Sequence, residues 1–152
     1  MKRVLILGVL LAAAATWGGS PADAVVNTCA GEEVTVYLSE GDETTPGPDV
    51  VWGTDSQDII DGLGGNDVIC SFGGRDIINS GLGSDRVFAG AGNDDVNGGR
   101  GHDFERGGSG NDVVRGQIGD DTLLGGPGTD RGNGGPGQDN CFTEVQTDCE
   151  GD

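Results

Sequence analysis

The sequence predicts an all-β fold, a solenoid of short parallel strands, and three observations predict it. Aspartate falls at Asp58, Asp67, Asp76, Asp85, Asp94, Asp103, Asp112, Asp121, Asp130 and Asp139, ten positions nine apart without a gap. Glycine stands two places before nearly every one, from Gly65 to Gly137, with only Ser56 departing. Two places after it stands a branched aliphatic in seven of ten cases, as in Ile60, Ile69, Ile78 and Val87. Composition alone, with 32 glycines in 152 residues and a formal charge of -18, resembles that of a disordered acidic segment. The fixed period decides otherwise.

The chain opens on a segment read as a secretory signal peptide, residues 1–24. Lys2 and Arg3 are followed by an apolar run from Val4 to Ala15, and Ala22-Asp23-Ala24 has the small-x-small pattern of a cleavage site. The run is too short for the roughly 20 residues that span a bilayer. The mature chain then starts near Val25, with no membrane segment. Removal of residues 1–24 shifts the formal charge from -18 to -19, and the remaining bases are all arginines. Such a chain repels nucleic acid and anionic membranes.

Residues 25–52 read as an N-terminal cap, in which Val34–Leu38 and Val50–Trp52 have strand-like content that covers the first coil. Residues 53–142 are the repeat, ten units of nine with the aspartate sixth, so that unit 1 is 53–61. A weaker unit precedes them at Gly47, Asp49 and Val51. The glycine-rich first six residues of a unit turn tightly. The last three are extended, and the eighth points inward between outward neighbours. Two units make a coil of 18 residues, with Ile60, Ile78, Val96, Val114 and Gly132 on one wall. Ile69, Val87, Glu105, Leu123 and Cys141 lie on the other. Five coils at the inter-strand spacing make a rod of roughly 24 Å. Glu105 and Gly132 cannot pack as aliphatics do, so a one-residue slip that turns Phe104 inward is expected, with units 6 and 9 the weakest. Residues 143–152 are the C-terminal cap.

Units such as Gly107-Gly108-Ser109-Gly110-Asn111-Asp112-Val113-Val114-Arg115 resemble the nonapeptide of the RTX (haemolysin-type) calcium-binding repeats. The resemblance implies a right-handed parallel β-roll with Ca2+ held between neighbouring turns, through turn carbonyls and the ten sixth-position aspartates. The residues agree with this independently. Calcium takes six to eight hard oxygen ligands in irregular geometry, and exposed carbonyls with carboxylates supply them. Partners 18 apart, from Asp58 with Asp76 to Asp121 with Asp139, make eight inter-turn sites, and Asp49 with Asp67 adds a ninth. Eight Ca2+ ions would bring the formal -19 to about -3, and so small a core cannot order ninety glycine-rich residues without that contribution. Ser71, Ser80 and Ala89, which replace glycine at the head of units 3 to 5, weaken calcium binding there.

Four cysteines, Cys29, Cys70, Cys141 and Cys149, point to two disulfides in an exported chain. A zinc site would need more than the single histidine, His102, and there is no CxxC pair. Cys70 and Cys141 are about four coils, roughly 19 Å, apart in the roll, beyond disulfide reach. Pairing Cys29 with Cys141 would leave the first coil uncovered. Cys29–Cys70 and Cys141–Cys149 are local and tie each cap to its own end.

No catalytic motif is present: there is no HExxH, GxSxG or GxxxxGK[ST], and His102 occupies an exposed turn position. The function expected is a secreted, extracellular calcium-binding structural or interaction module and not an enzyme. The alternatives are a calcium-rigidified surface adhesin or matrix component and a secreted hydrolase. The outward seventh column mixes Ile, Val, Arg, Asp, Phe, Thr and Asn, which argues against a repetitive ligand.

Overall fold

A computed structural model describes residues 28–38 and 41–149. The expected signal peptide lies outside the described residues, as do the last three of the C-terminal cap. Fifteen strands follow in chain order: β1 (Thr28–Cys29), β2 (Glu32–Glu33), β3 (Val36–Tyr37), β4 (Val50–Trp52), β5 (Ile59–Asp61), β6 (Val68–Cys70), β7 (Ile77–Leu82) and β8 (Arg86–Ala91). Then come β9 (Asp95–Arg100), β10 (Phe104–Ser109), β11 (Val113–Ile118), β12 (Thr122–Leu124), β13 (Arg131–Asn133), β14 (Asn140–Phe142) and β15 (Val145–Thr147).

Beyond the small β1–β2 hairpin the strands form two parallel sheets, alternating between them from β4 onward. One sheet runs β3-β4-β6-β8-β10-β12-β14 and the other β5-β7-β9-β11-β13-β15. The step between neighbours is 18 residues, as in Ile69 beside Val87 and Ile60 beside Ile78. The chain is thus a parallel β-roll of two walls, with about six turns because the weak unit before residue 53 completes one more. Its core is a single file of apolar side chains: Val51, Ile69, Val87 and Leu123 from one wall, Ile60, Ile78, Val96 and Val114 from the other. Seventh-position residues face out, so Ile59 is exposed.

The central strands, β7 to β11, are six residues long rather than the three expected. The ladder runs on through the first three residues of the next unit. This is possible because the second position takes a left-handed conformation, φ 102° at Gly90 and 114° at Gly108. A full side chain is tolerated there at some cost: Leu63, Phe72 and Gln117 lie at φ 65°, 70° and 75°.

The expected slip at unit 6 does not occur. Phe104 pairs with Arg86 and Thr122, and Glu105 with Val87 and Leu123, in unbroken register. Phe104 stays outside, 5.9 Å from the Phe88 ring, and Glu105 is fully buried in the file of core residues. A slip would break both flanking ladders at once and swing the neighbouring Asp103 out of its turn, so the flanking registers hold the carboxylate inside. Gly132 also keeps its inward place. The Thr143 side chain fills the room beside it, its Oγ1 2.7 Å from where a Cβ would lie.

The ends are covered differently. At the N-terminus, β3 adds to β4 and buries Val36, with Leu38 packed against the core. The β1–β2 hairpin lies over the outer face, where Cys29 is bonded to Cys70 and Arg86 pairs with Glu32 at 3.3 Å. Val68 is buried there although it stands at an outward position. At the C-terminus the step shortens to 14 residues, Arg131 pairing with Val145, and Cys141 is bonded to Cys149. Phe142 and Val145 are exposed, so this cap is held by backbone pairing and the disulfide, not by apolar packing.

Candidate metal centre

The glycine at the fourth position lets successive turns stack in contact. A Cβ on Gly110 would lie 1.5 Å from the carbonyl oxygen of Gly92, one coil before, and φ is 137° at Gly110. No other residue fits there. Ser56 is tolerated because its φ is not positive and, among the described residues, no turn precedes its own on that edge of the roll.

Stacking brings the sixth-position aspartates into two columns, one on each edge. Even units supply Asp67, Asp85, Asp103, Asp121 and Asp139, and odd units supply Asp58, Asp76, Asp94, Asp112 and Asp130. All ten are buried. Within a column the carboxylates act on the backbone. Asp94 Oδ1 accepts the Asp76 N–H at 2.9 Å, Asp112 Oδ1 that of Asp94 at 2.9 Å, and Asp85 Oδ1 that of Asp67 at 2.8 Å. The same bond joins every 18-residue pair, from Asp49 with Asp67 to Asp121 with Asp139. The series ends where Glu144 Oε2 accepts the Asp130 N–H at 2.8 Å, taking the place of the next aspartate.

The second oxygen is the notable one. Oδ2 of Asp67, Asp76, Asp85, Asp94, Asp103, Asp112, Asp121, Asp130 and Asp139 is buried and has no hydrogen-bond donor. At the head of each unit from 6 to 10, the missing Cβ of glycine makes room beside this oxygen: it would lie 2.4 Å from Asp112 Oδ2 at Gly107 and 2.3 Å from Asp121 Oδ2 at Gly116. Ser71 and Ser80, which take that place in units 3 and 4, turn their hydroxyls to the carbonyls of Ala89 and Gly98, both at 2.7 Å. Asp49 and Asp58 differ: the Thr45 and Thr54 N–H groups donate to their Oδ2 atoms at 2.6 and 2.8 Å.

Burial, in most cases with neighbouring carboxylates adding to it, raises the pKa of seven of these aspartates. Asp67 and Asp94 are pushed up to about 6 and Asp103 to about 7. Asp76, Asp85, Asp112 and Asp121 are raised chiefly by burial. Glu105, buried behind the even column, is pushed up to about 9 by burial first and then by Asp103 and Asp121. Positive charge beside such groups would favour their ionised form, and among the described residues no arginine forms an ion pair with them. Arg115 pairs with Asp95 and Arg86 with Glu32, both on outer faces. Orphaned carboxylate oxygens in glycine-made room, without sulfur or imidazole, suit a hard cation of irregular coordination.

The family comparison agrees. The family model described as RTX calcium-binding nonapeptide repeat (4 copies) matches residues 43–70, 71–105 and 106–141. The chain belongs to this RTX repeat family. Repeats of this family bind Ca2+. No curated protein and no solved structure matched the chain. For an RTX repeat chain its caps are closed by disulfides, and both pairings, Cys29–Cys70 and Cys141–Cys149, are those expected from distance.

One feature of the turns escaped the sequence reading. Fifth-position side chains form ladders of their own, running the opposite way. Asn66 Oδ1 accepts the Ser84 N–H at 2.9 Å, His102 Nδ1 the Asp120 N–H at 3.0 Å, and Asn111 Oδ1 the Thr129 N–H at 2.9 Å. His102 is therefore a turn residue whose ring nitrogen is already engaged. The mixture of Asn, Ser, His and Asp at this place is one of short acceptors, which is the signal that could have revealed it.

Proposed function

We propose that this is a secreted protein whose roll is closed by Ca2+ held along both edges, with the ten sixth-position aspartates as its charged ligands. The observation that carries this reading is the run of nine buried Oδ2 atoms without a donor. One oxygen of each carboxylate braces the preceding coil while the other is left for a cation. Asp58 contributes least, because Thr54 donates to both of its oxygens. Turn carbonyls complete the coordination, and the bound ion supplies charge that lets stacked carboxylates remain ionised a strand spacing apart. The leader at residues 1–24 and two disulfides, bonds that persist in oxidising compartments, support export. Outside the cell the chain serves as a structural or interaction module that is coil in the absence of calcium and a rod in its presence. Circular dichroism of the purified chain tests this. In EGTA it is coil-like, and Ca2+ restores the β signal cooperatively while Mg2+, which demands stricter geometry, does not. Equal β content in EGTA and in Ca2+ overturns the reading.

A further inference from the structure

Glu105 is the one acidic side chain in the file of core residues, and the roll offers it nothing. It is 0% exposed, and neither Oε1 nor Oε2 has a hydrogen-bond partner. It stands at an eighth position, where Val87 and Leu123 flank it in the same wall. One of its carboxylate oxygens, Oε1, approaches the same glycine as Asp103 Oδ2. The point at which a side chain on Gly98 would begin lies 2.4 Å from Glu105 Oε1, 2.6 Å from Asp103 Oδ2 and 3.0 Å from the Gly116 carbonyl oxygen. Two carboxylates and a carbonyl thus gather beside a glycine, a set of hard oxygens of the kind calcium takes. An unpaired buried carboxylate costs several kcal/mol, and two facing each other cost more. No arginine, lysine or histidine contacts the pair in an ion bridge among the described residues.

We infer that Glu105 is a further calcium ligand, joining Asp103 from the inside of the roll to make one site that differs from all the others. This rests on the reading of the aspartates as ligands and adds to it a residue outside the nonapeptide pattern. Asp103 is the middle of the five aspartates on its edge, so the added charge sits where coils lie on both sides. A site to which Glu105 adds a carboxylate binds more tightly than rungs that have only one aspartate from each coil, and it fills first. The roll then grows outward from its centre, not from a cap.

Calorimetric Ca2+ titration of the chain tests this, with circular dichroism at saturating Ca2+ to report the fold. Glu105→Leu restores an aliphatic like Leu123 and should reach the folded state, yet lose the tightest binding step, with that affinity falling roughly tenfold or more. Glu105→Gln, similar in shape but uncharged, should weaken the same step. If Glu105→Leu binds its first calcium as tightly as the parent, or more tightly, the carboxyl is a neutral filler and the inference falls. Should Glu105→Leu fail to fold at any calcium concentration, Glu105→Gln is judged by the same criterion. Asp94→Ala, on the opposite edge, separates the two readings. If it weakens calcium binding while the Glu105 variants do not, only this inference fails. If it too has no effect, the aspartate reading fails with it.

Discussion

The first turns of the roll and those behind them use the same aspartate in two ways. In the first turn on each edge, Asp49 and Asp58 have Oδ2 satisfied by the backbone N–H of Thr45 and Thr54. From Asp67 to Asp139 that donor is missing and Oδ2 is left bare. The first arrangement is an ordinary side-chain-to-backbone turn that needs no metal. The second is unstable alone, since a buried acceptor without a donor costs about 1–3 kcal/mol and more when charged. The contrast teaches that the nine-residue repeat does not by itself create a cation site. A bare carboxylate oxygen, open to a cation, appears where the turn withholds its own donor.

Three experiments sharpen that contrast. The largest effect is expected at the stacked glycines. Gly110→Ala places a Cβ against the Gly92 carbonyl and forces a strained φ of roughly 1–3 kcal/mol before the clash is counted. It should abolish calcium-induced β signal, whereas Ser56→Ala, in a turn with none before it, should leave the calcium midpoint within error. A Gly110→Ala chain that folds at the parent's midpoint would show that turns do not stack in contact.

Next come the aspartates themselves. Asp94→Ala removes both the brace on the Asp76 N–H and a bare oxygen, while Asp58→Ala removes an oxygen pair that Thr54 already satisfies. The calcium midpoint should rise severalfold for Asp94→Ala and little for Asp58→Ala. Equal shifts in calorimetry would mean that the donor from Thr54 makes no difference.

The smallest effects concern the caps. Cys29–Cys70 closes a separation of 41 residues and Cys141–Cys149 one of 8. In the loop-entropy account these contribute about 4 and about 2.5 kcal/mol respectively. Thermal melts in saturating Ca2+ should therefore fall further for the Cys29→Ser, Cys70→Ser pair than for Cys141→Ser, Cys149→Ser. The reverse order would show that the C-terminal cap depends more on its disulfide than the N-terminal cap does.

Much of this architecture was legible because a period of nine decides facing. The columns Ile60–Ile78–Val96–Val114 and Ile69–Val87–Glu105–Leu123 could be written down from spacing, and the structure has them as the two walls. The disulfide pairings followed from the same spacing, since rod length excluded the alternatives. What spacing could not convey was contact between coils. The left-handed second position is hidden where Leu63, Phe72 and Gln117 stand, because side-chain type does not announce a tolerated strain. The Asp Oδ1 brace and the opposite ladder from fifth-position residues depend on a neighbour 18 residues away. Glu105 was misread for a related reason. A buried charge looked like something the strand must expel, but its register is held by β8 on one side and β12 on the other.

The short last step has a consequence for the rod as an object. Every coil leaves one amide on each edge awaiting a carboxylate from the coil after it, so a bare C-terminal end would be a template for a second rod. Glu144 occupies that place on the Asp130 edge 14 residues on instead of 18, and Gln146 donates to the Cys141 carbonyl beside it. An incoming turn in 18-residue register finds its acceptor seat already filled and the next seat out of step. On the Asp130 edge the repetitive lattice thus ends on a misfit, with no free amide there for a further turn in register.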